Sequence, residues 1–112
     1  MLNLNIEEIK KVIIISIEGE LFFGNIDELD DLWNRQVIKK PSIIAMNCKN
    51  LISIDSTVVG YFVKFLKFTM NKKIELVFFD LTDQVNKLFL TARLDKFFKI
   101  TTKDEFQIEY LV

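Results

Sequence analysis

The segment Ser53-Ile54-Asp55-Ser56-Thr57-Val58-Val59-Gly60 sets one carboxylate and two hydroxyls, Asp55, Ser56 and Thr57, where an apolar strand gives way to a long apolar helix. The first turn of a helix presents N–H groups with no partner inside the helix, together with a partial positive charge. Carboxylates, hydroxyl oxygens and phosphates are favoured there. Two roles suit these residues. Asp55 or Ser56 acts as an ordinary helix cap, or Ser56 accepts a phosphate whose roughly two negative charges change which surfaces dock beside it. The roles are compatible.

Other candidates for chemistry are sparse. The chain has no histidine, which removes imidazole catalysis and histidine metal ligation. Cys48, the only cysteine, has no histidine to activate it and no partner for an internal disulfide. It reads as packing at a strand end, in keeping with a reducing cytoplasm. Asp27, Glu28, Asp30 and Asp31 share one predicted helix and read as a solvated acidic face rather than a metal site. Asp80 and Asp83 bracket a turn as capping residues. Lys72, Lys73 and the other lysines form no basic stripe along the sequence, and no glycine-rich phosphate loop is present. Neither an enzyme nor a cofactor or metal is expected.

The 112 residues are enough for one domain with a real core, and a composition 50% hydrophobic with eleven Phe argues against disorder. A formal net charge of −1 gives no global attraction to nucleic acid or an anionic membrane. No apolar run reaches the roughly 18–20 residues a membrane span needs. The opening residues, Met1 to Glu8, also lack the basic start and apolar centre of a secretory signal, so a cytoplasmic location is expected.

Leu2, Leu4 and Ile6 alternate with polar residues as a half-buried strand, with Glu7–Lys11 as a turn. Val12–Ile17 is a β-branched run typical of a central strand, paired antiparallel with the first. Asn25 is placed to cap a helix from Ile26 to about Ile38, with Ile26, Leu29, Leu32 or Trp33, and Gln36 or Val37 facing the core. Strand Ser42–Cys48, a loop through Asn50 and Ser53, a helix over roughly Ser56–Met70, and strand Ile74–Phe79 follow. A short helix capped by Thr82 or Asp83, a strand over Phe97–Thr101 and a helix over Lys103–Tyr110 complete the order ββαβαβαβα. An α/β domain with a mixed, mostly parallel sheet of about five strands and helices mainly on one side is predicted.

In the helix after Asp55, Val59, Phe62, Val63, Leu66 and Met70 share one side and suffice to dock it on a sheet. Val58, Tyr61, Phe65 and Phe68 form a second apolar stripe. Either it packs against flanking helices or it is a docking surface beside Ser56, with Tyr61 and Phe65 as anchors.

These residues, in this order, resemble the STAS domain of bacterial anti-sigma-factor antagonists and of sulphate-transporter-type anion carriers. The resemblance spans nearly the whole chain, residues 1–112. Ile17-Glu18-Gly19-Glu20-Leu21 is similar to the family's strand followed by Gly-x-Leu, and Asp55-Ser56-Thr57-Val58-Val59-Gly60 to its Asp-Ser-Ser-Gly-x-Gly signature. Val85-Asn86-Lys87-Leu88-Phe89 and Leu94-Asp95-Lys96-Phe97-Phe98 match its late helix and closing strand. Val58 stands where the signature has its first glycine, adding bulk close to the serine.

The resemblance implies a non-catalytic, phosphorylation-regulated module of a partner-switching pathway that controls transcription. Ser56 is its phosphoacceptor, Thr57 a secondary candidate, and Asp55, Val58 and Gly60 are neighbours of the phosphosite. The implied partner is an anti-sigma factor that is also the serine kinase, with a serine phosphatase as a further partner. The unphosphorylated domain binds the anti-sigma factor and phosphate blocks docking. No nucleic acid and no membrane insertion are implied, and dimerisation is left open. Leu21-Phe22-Phe23-Gly24-Asn25 instead resembles the Leu-Phe-Phe segment of transporter-type STAS domains, and the alternative is a module associated with an anion carrier. Phe22 and Phe23 either fill the core at the sheet edge or form an apolar rim facing a partner or dimer mate.

Overall fold

The alternating residues at the start and the β-branched run after them form a hairpin. In the computed structural model, which describes residues 1–112, β1 (Asn3–Ile9) and β2 (Val12–Glu20) pair antiparallel across a turn at Lys10-Lys11. The chain continues through α1 (Ile26–Val37), β3 (Ile43–Ser53), α2 (Ser56–Lys72), β4 (Glu75–Phe79) and α3 (Asp83–Thr91). A 3-10 turn (Leu94–Lys96), β5 (Lys99–Thr101) and α4 (Lys103–Tyr110) complete it. The strands lie in the order β1-β2-β3-β4-β5, parallel from β2 onward. This is the mixed, mostly parallel α/β architecture expected.

Several boundaries differ from expectation. β1 continues through Glu7 and Glu8, which pair with Ile14 and Ile13, because an edge strand tolerates charge on its solvent side. β3 runs past Cys48 to Ser53, since β2 also continues and offers Glu18, Gly19 and Glu20 as partners for Asn50, Leu51 and Ser53. β5 begins at Lys99 rather than Phe97, after the 3-10 turn. At Gly19 the backbone takes a φ of 108°, and a Cβ would stand 2.4 Å from the Met1 carbonyl oxygen, so only glycine fits.

The sheet's two faces carry unequal cores. Ile13, Ile15, Ile17, Ile44, Met46 and Phe78 face a large core closed by α1, α2 and α3. On the opposite face Val12, Ile14, Ala45, Val77 and Phe79 are covered by α4, where Phe106 stacks on Phe79 at 5.0 Å. In α1 the buried residues are Ile26, Leu29, Trp33 and Gln36, one of the expected stripes.

In α2 the expected stripe is rotated. Val58, Phe62, Phe65 and Thr69 are buried, whereas Met70 is exposed and Val59, Val63 and Leu66 are only half-buried. The cause is α1, whose Trp33 stacks on Phe65 at 4.2 Å and meets Phe68 edge-on at 6.4 Å. Two neighbours draw the buried face toward the seam between them. Thr69 is tolerated there because its hydroxyl donates to the Leu66 carbonyl at 2.8 Å.

A capping box at Thr102 and Glu105 starts α4. Glu105 accepts from the Thr101 hydroxyl (3.0 Å), the Thr102 hydroxyl (3.1 Å) and the Thr102 N–H (3.3 Å), which hold its carboxyl below the ordinary carboxylate range. A folded pKa below the unfolded value, 4.5, gives stability that is complete above that pH and is lost as pH falls through the folded value. Glu105→Gln is therefore expected to be less stable than the native chain at neutral pH, with the gap closing in acid. Urea denaturation at neutral pH and well below 4.5 measures this.

The lysines are separated in sequence but not in space. Lys10-Lys11 precede β2, Lys39-Lys40 follow α1 before β3, and Lys72-Lys73 end α2 before β4. Because these three strands are parallel, all three pairs reach the same end of the sheet. The expectation that the lysines form no basic stripe is corrected by topology.

Candidate functional site

At the other end of the sheet, Asp55 holds two loops together. It is the N-cap of α2, its Oδ1 accepting from the Val58 N–H at 3.0 Å. Its Oδ2 accepts from the Phe23 N–H, also at 3.0 Å. One carboxylate thus fixes the start of α2 and the loop between β2 and α1. Nothing local in the sequence signals the second bond, which joins residues 32 positions apart.

With Asp55 as cap, Ser56 is released from that duty. Ser56 and Thr57 are the first two residues of α2 and both are exposed. Val58 is fully buried, so its β-branched side chain adds core volume rather than bulk beside Ser56, contrary to the expectation from sequence. Two residues along a helix is about 200°, which turns it away from the serine. Gly60 is exposed one turn after Ser56, and a Cβ there would meet nothing within 4 Å. Gly60→Ala is expected to raise stability by about 0.5–1 kcal/mol, read by urea denaturation, because a helical glycine has more freedom to lose than alanine.

Phe22 and Phe23 do not fill the core. They are 43% and 73% exposed, with their rings edge-to-face at 5.8 Å. Asn25 holds the loop beneath them: its Oδ1 accepts from the Phe22 N–H at 2.9 Å and its Nδ2 donates to the Glu20 carbonyl at 2.8 Å. With both ends of its amide engaged, Asn25 sits at the N-cap position of α1 without a side-chain cap, unlike its expected role. The turn-forming pair Gly24-Asn25 was a sequence signal for such an ordered loop. The result is an apolar rim tied to the serine-bearing helix through Asp55.

A groove of about 290 Å³ between these loops is lined by Glu20, Leu21, Phe22, Ser53, Ile54 and Asp55, with no cation among them. The Ser53 hydroxyl donates to Glu20 at 3.3 Å, and the Leu21 N–H to the Ser53 carbonyl at 3.0 Å. The second stripe of α2 is largely core. Phe65 and Val58 are fully buried and are not surface anchors. Tyr61 is half-buried, with its hydroxyl 3.5 Å from Asp27 and the Lys64 ammonium over its ring at 4.9 Å. Lys64 pairs with Asp30 at 3.0 Å, and Tyr61 thus lies among contacts joining α1 to α2. Cys48 is fully buried, its thiol donating to the Met46 carbonyl at 3.7 Å. Burial, reinforced by the Asp80 charge, pushes the thiol pKa up, the opposite of what a nucleophile needs.

The strands are wound in one direction from β2 to β5, so the sheet has no reversal of strand order at which an α/β crevice would open. The STAS domain model matches residues 3–106, and the chain belongs to the STAS domain family. A candidate anti-sigma factor antagonist of Thermotoga maritima superposes with a TM-score of 0.89 at 21% identity, covering 97% of this chain and 95% of that one. An anti-sigma factor antagonist of Mycobacterium paratuberculosis gives 0.78 at 19% identity over 94% and 90% of the chains. The Bacillus cell fate determinant SpoIIAA, solved in its phosphorylated form, gives 0.74 at 16% identity over 98% and 100%. At these identities the likeness is one of fold. No curated protein matches the chain in sequence.

Proposed function

We propose that this domain is a non-catalytic binding module of the anti-sigma-factor-antagonist kind, acting in the cytoplasm and switched by phosphorylation of Ser56. The observation that carries the reading is the division of labour at the start of α2: Asp55 caps the helix and leaves the Ser56 hydroxyl exposed beside the Phe22–Phe23 rim. A phosphate on Ser56 suits the helix N-terminus, so modification leaves the fold intact. It also sets a dianion beside an apolar rim and an acidic groove whose lining holds no arginine or lysine. A partner docked there would bear the desolvation and repulsion. The partner is an anti-sigma factor with serine kinase activity, and a serine phosphatase resets the switch. Thr57, exposed next to Ser56, is the secondary acceptor.

The test is incubation with the cognate kinase and ATP followed by mass spectrometry, and partner capture with the native protein, Ser56→Ala and Ser56→Asp. One phosphate is expected on Ser56, with capture retained by Ser56→Ala and lost by Ser56→Asp. Equal capture by all three proteins rejects the switch. Exposure of Phe22 and Phe23, beside the buried Leu21, favours a second reading, a module that docks on an anion carrier. Capture of a multi-span carrier, lost on Phe23→Ser and indifferent to Ser56→Asp, would select it.

A further inference from the structure

We propose that the end of the domain opposite Ser56 is a peripheral membrane-contacting surface that recognises anionic phospholipid headgroups. Six lysines supply the charge, and two adjoining depressions collect them. Lys10, Lys11, Lys39 and Lys40 border one of about 160 Å³, and Lys40, Lys72 and Lys73 border a groove of about 780 Å³, with Lys40 and Pro41 common to both. Backbone bonds fix the three loops side by side. The Ser42 N–H donates to the Lys11 carbonyl at 2.9 Å, and the Glu75 N–H donates to the Ser42 carbonyl at 3.0 Å. All six lysines are exposed, and of them Lys39 alone is paired, with Glu8 at 3.2 Å. Glu75, beside this end, is engaged by the Tyr110 hydroxyl and by Lys99.

Helix C-termini draw cations, which gives Lys39, Lys40, Lys72 and Lys73 a structural reason for their place. That reason does not reach Lys10 and Lys11, which form the hairpin turn. Moreover, Lys10, Lys40 and Lys73 hold left-handed φ values of 56°, 53° and 58°, where glycine or asparagine is the ordinary choice. Backbone conformation therefore does not explain these lysines, whereas a demand for charge does. The net charge of −1 conceals the patch because Asp27, Glu28, Asp55 and Asp83 lie toward the opposite end.

The chemistry favours a lipid surface. All six cations are lysines, point charges suited to a diffuse anionic plane, while the arginine fork that reads bases and paired carboxylates is missing from the cluster. Apolar groups are interspersed. Val37, Ile38, Phe68 and Ile74 line the larger groove, and Ile38 (77% exposed) and Met70 (71% exposed) project beside the lysines. Apolar side chains among lysines enter the headgroup layer while the ammonium groups remain at the phosphates. No helix is long and apolar enough to cross the membrane, so the contact is peripheral. Seated this way, the 17-residue α2 holds Ser56 about 25 Å from its lysine end, beyond the reach of surface charge at physiological salt.

Flotation of the full chain with vesicles tests the proposal. Binding is expected to phosphatidylcholine vesicles containing phosphatidylglycerol, not to phosphatidylcholine alone, and to weaken as salt is raised. Lys11→Gln with Lys72→Gln, both outside the left-handed positions, should lower partitioning about 25-fold, at about fivefold per lysine. Ile38→Ser should weaken it at unchanged charge, whereas Ser56→Asp should leave it unaltered, which separates this surface from the switch. Retained thermal unfolding of each variant shows that the fold survives. No flotation at low salt, equal binding to phosphatidylcholine, full binding by the double variant, or stronger lysine-dependent binding to duplex DNA would each overturn the proposal.

Discussion

Phe65→Ala is expected to destabilise the domain by about 3–5 kcal/mol, the range for truncating a fully buried phenylalanine. Phe65 lies where α1 and α2 close on the sheet, with the Trp33 ring stacked on it at 4.2 Å and an interplanar angle of 16°. Phe62 and Tyr61 meet it at 6.3 and 6.4 Å. A loss of that size is a large part of the roughly 5–15 kcal/mol that holds a small domain together. Phe65→Asp adds a buried carboxylate and should yield no folded protein. Trp33, the only tryptophan, reports directly, because its emission changes when its stacked neighbour is removed. A folded Phe65→Asp variant with native Trp33 emission would place this ring on the surface after all.

The second large effect is expected at Asp55. Asp55→Ala removes the cap of α2 and the acceptor of the Phe23 N–H together, a loss of about 2 kcal/mol. Asp55→Asn should cost about half as much, since asparagine caps well but its single oxygen serves one of the two donors. Amide hydrogen exchange distinguishes the two contacts. In Asp55→Asn the Phe23 N–H should lose protection while α2 keeps it, and in Asp55→Ala both should exchange faster. If Phe23 keeps its protection in Asp55→Ala, the loop is held by Asn25 alone.

The order of elements was legible because each carries its own period: alternation in β1, β-branched residues in β2, and a 3.6-residue stripe with acidic first turns in α1. Asp55, Ser56 and Thr57 were legible as a helix start for the same local reason. Three things were not. The buried face of α2 could not be chosen from its sequence, since both stripes are apolar and the position of Trp33 decides between them. The exposure of Phe22 and Phe23 depends on Asn25 and Asp55, and the Asp55 bond is long-range. The lysine end arises only when three parallel strands bring separate pairs together. Each of these depends on tertiary contacts, and the Phe22–Phe23 loop on the local turn at Asn25 as well.

The simple strand order β1-β2-β3-β4-β5 also sets a timetable for chain growth. Each strand after the first adds beside the one made just before it, so no strand waits for a later partner before joining the sheet. Loop closure at each addition is short, which favours accretion from the N-terminal side as the chain emerges. The Phe23–Asp55 tie lies in the first half of the chain, before β4. The serine-bearing surface is thus assembled early, and α4, which seals the smaller face of the sheet, arrives last.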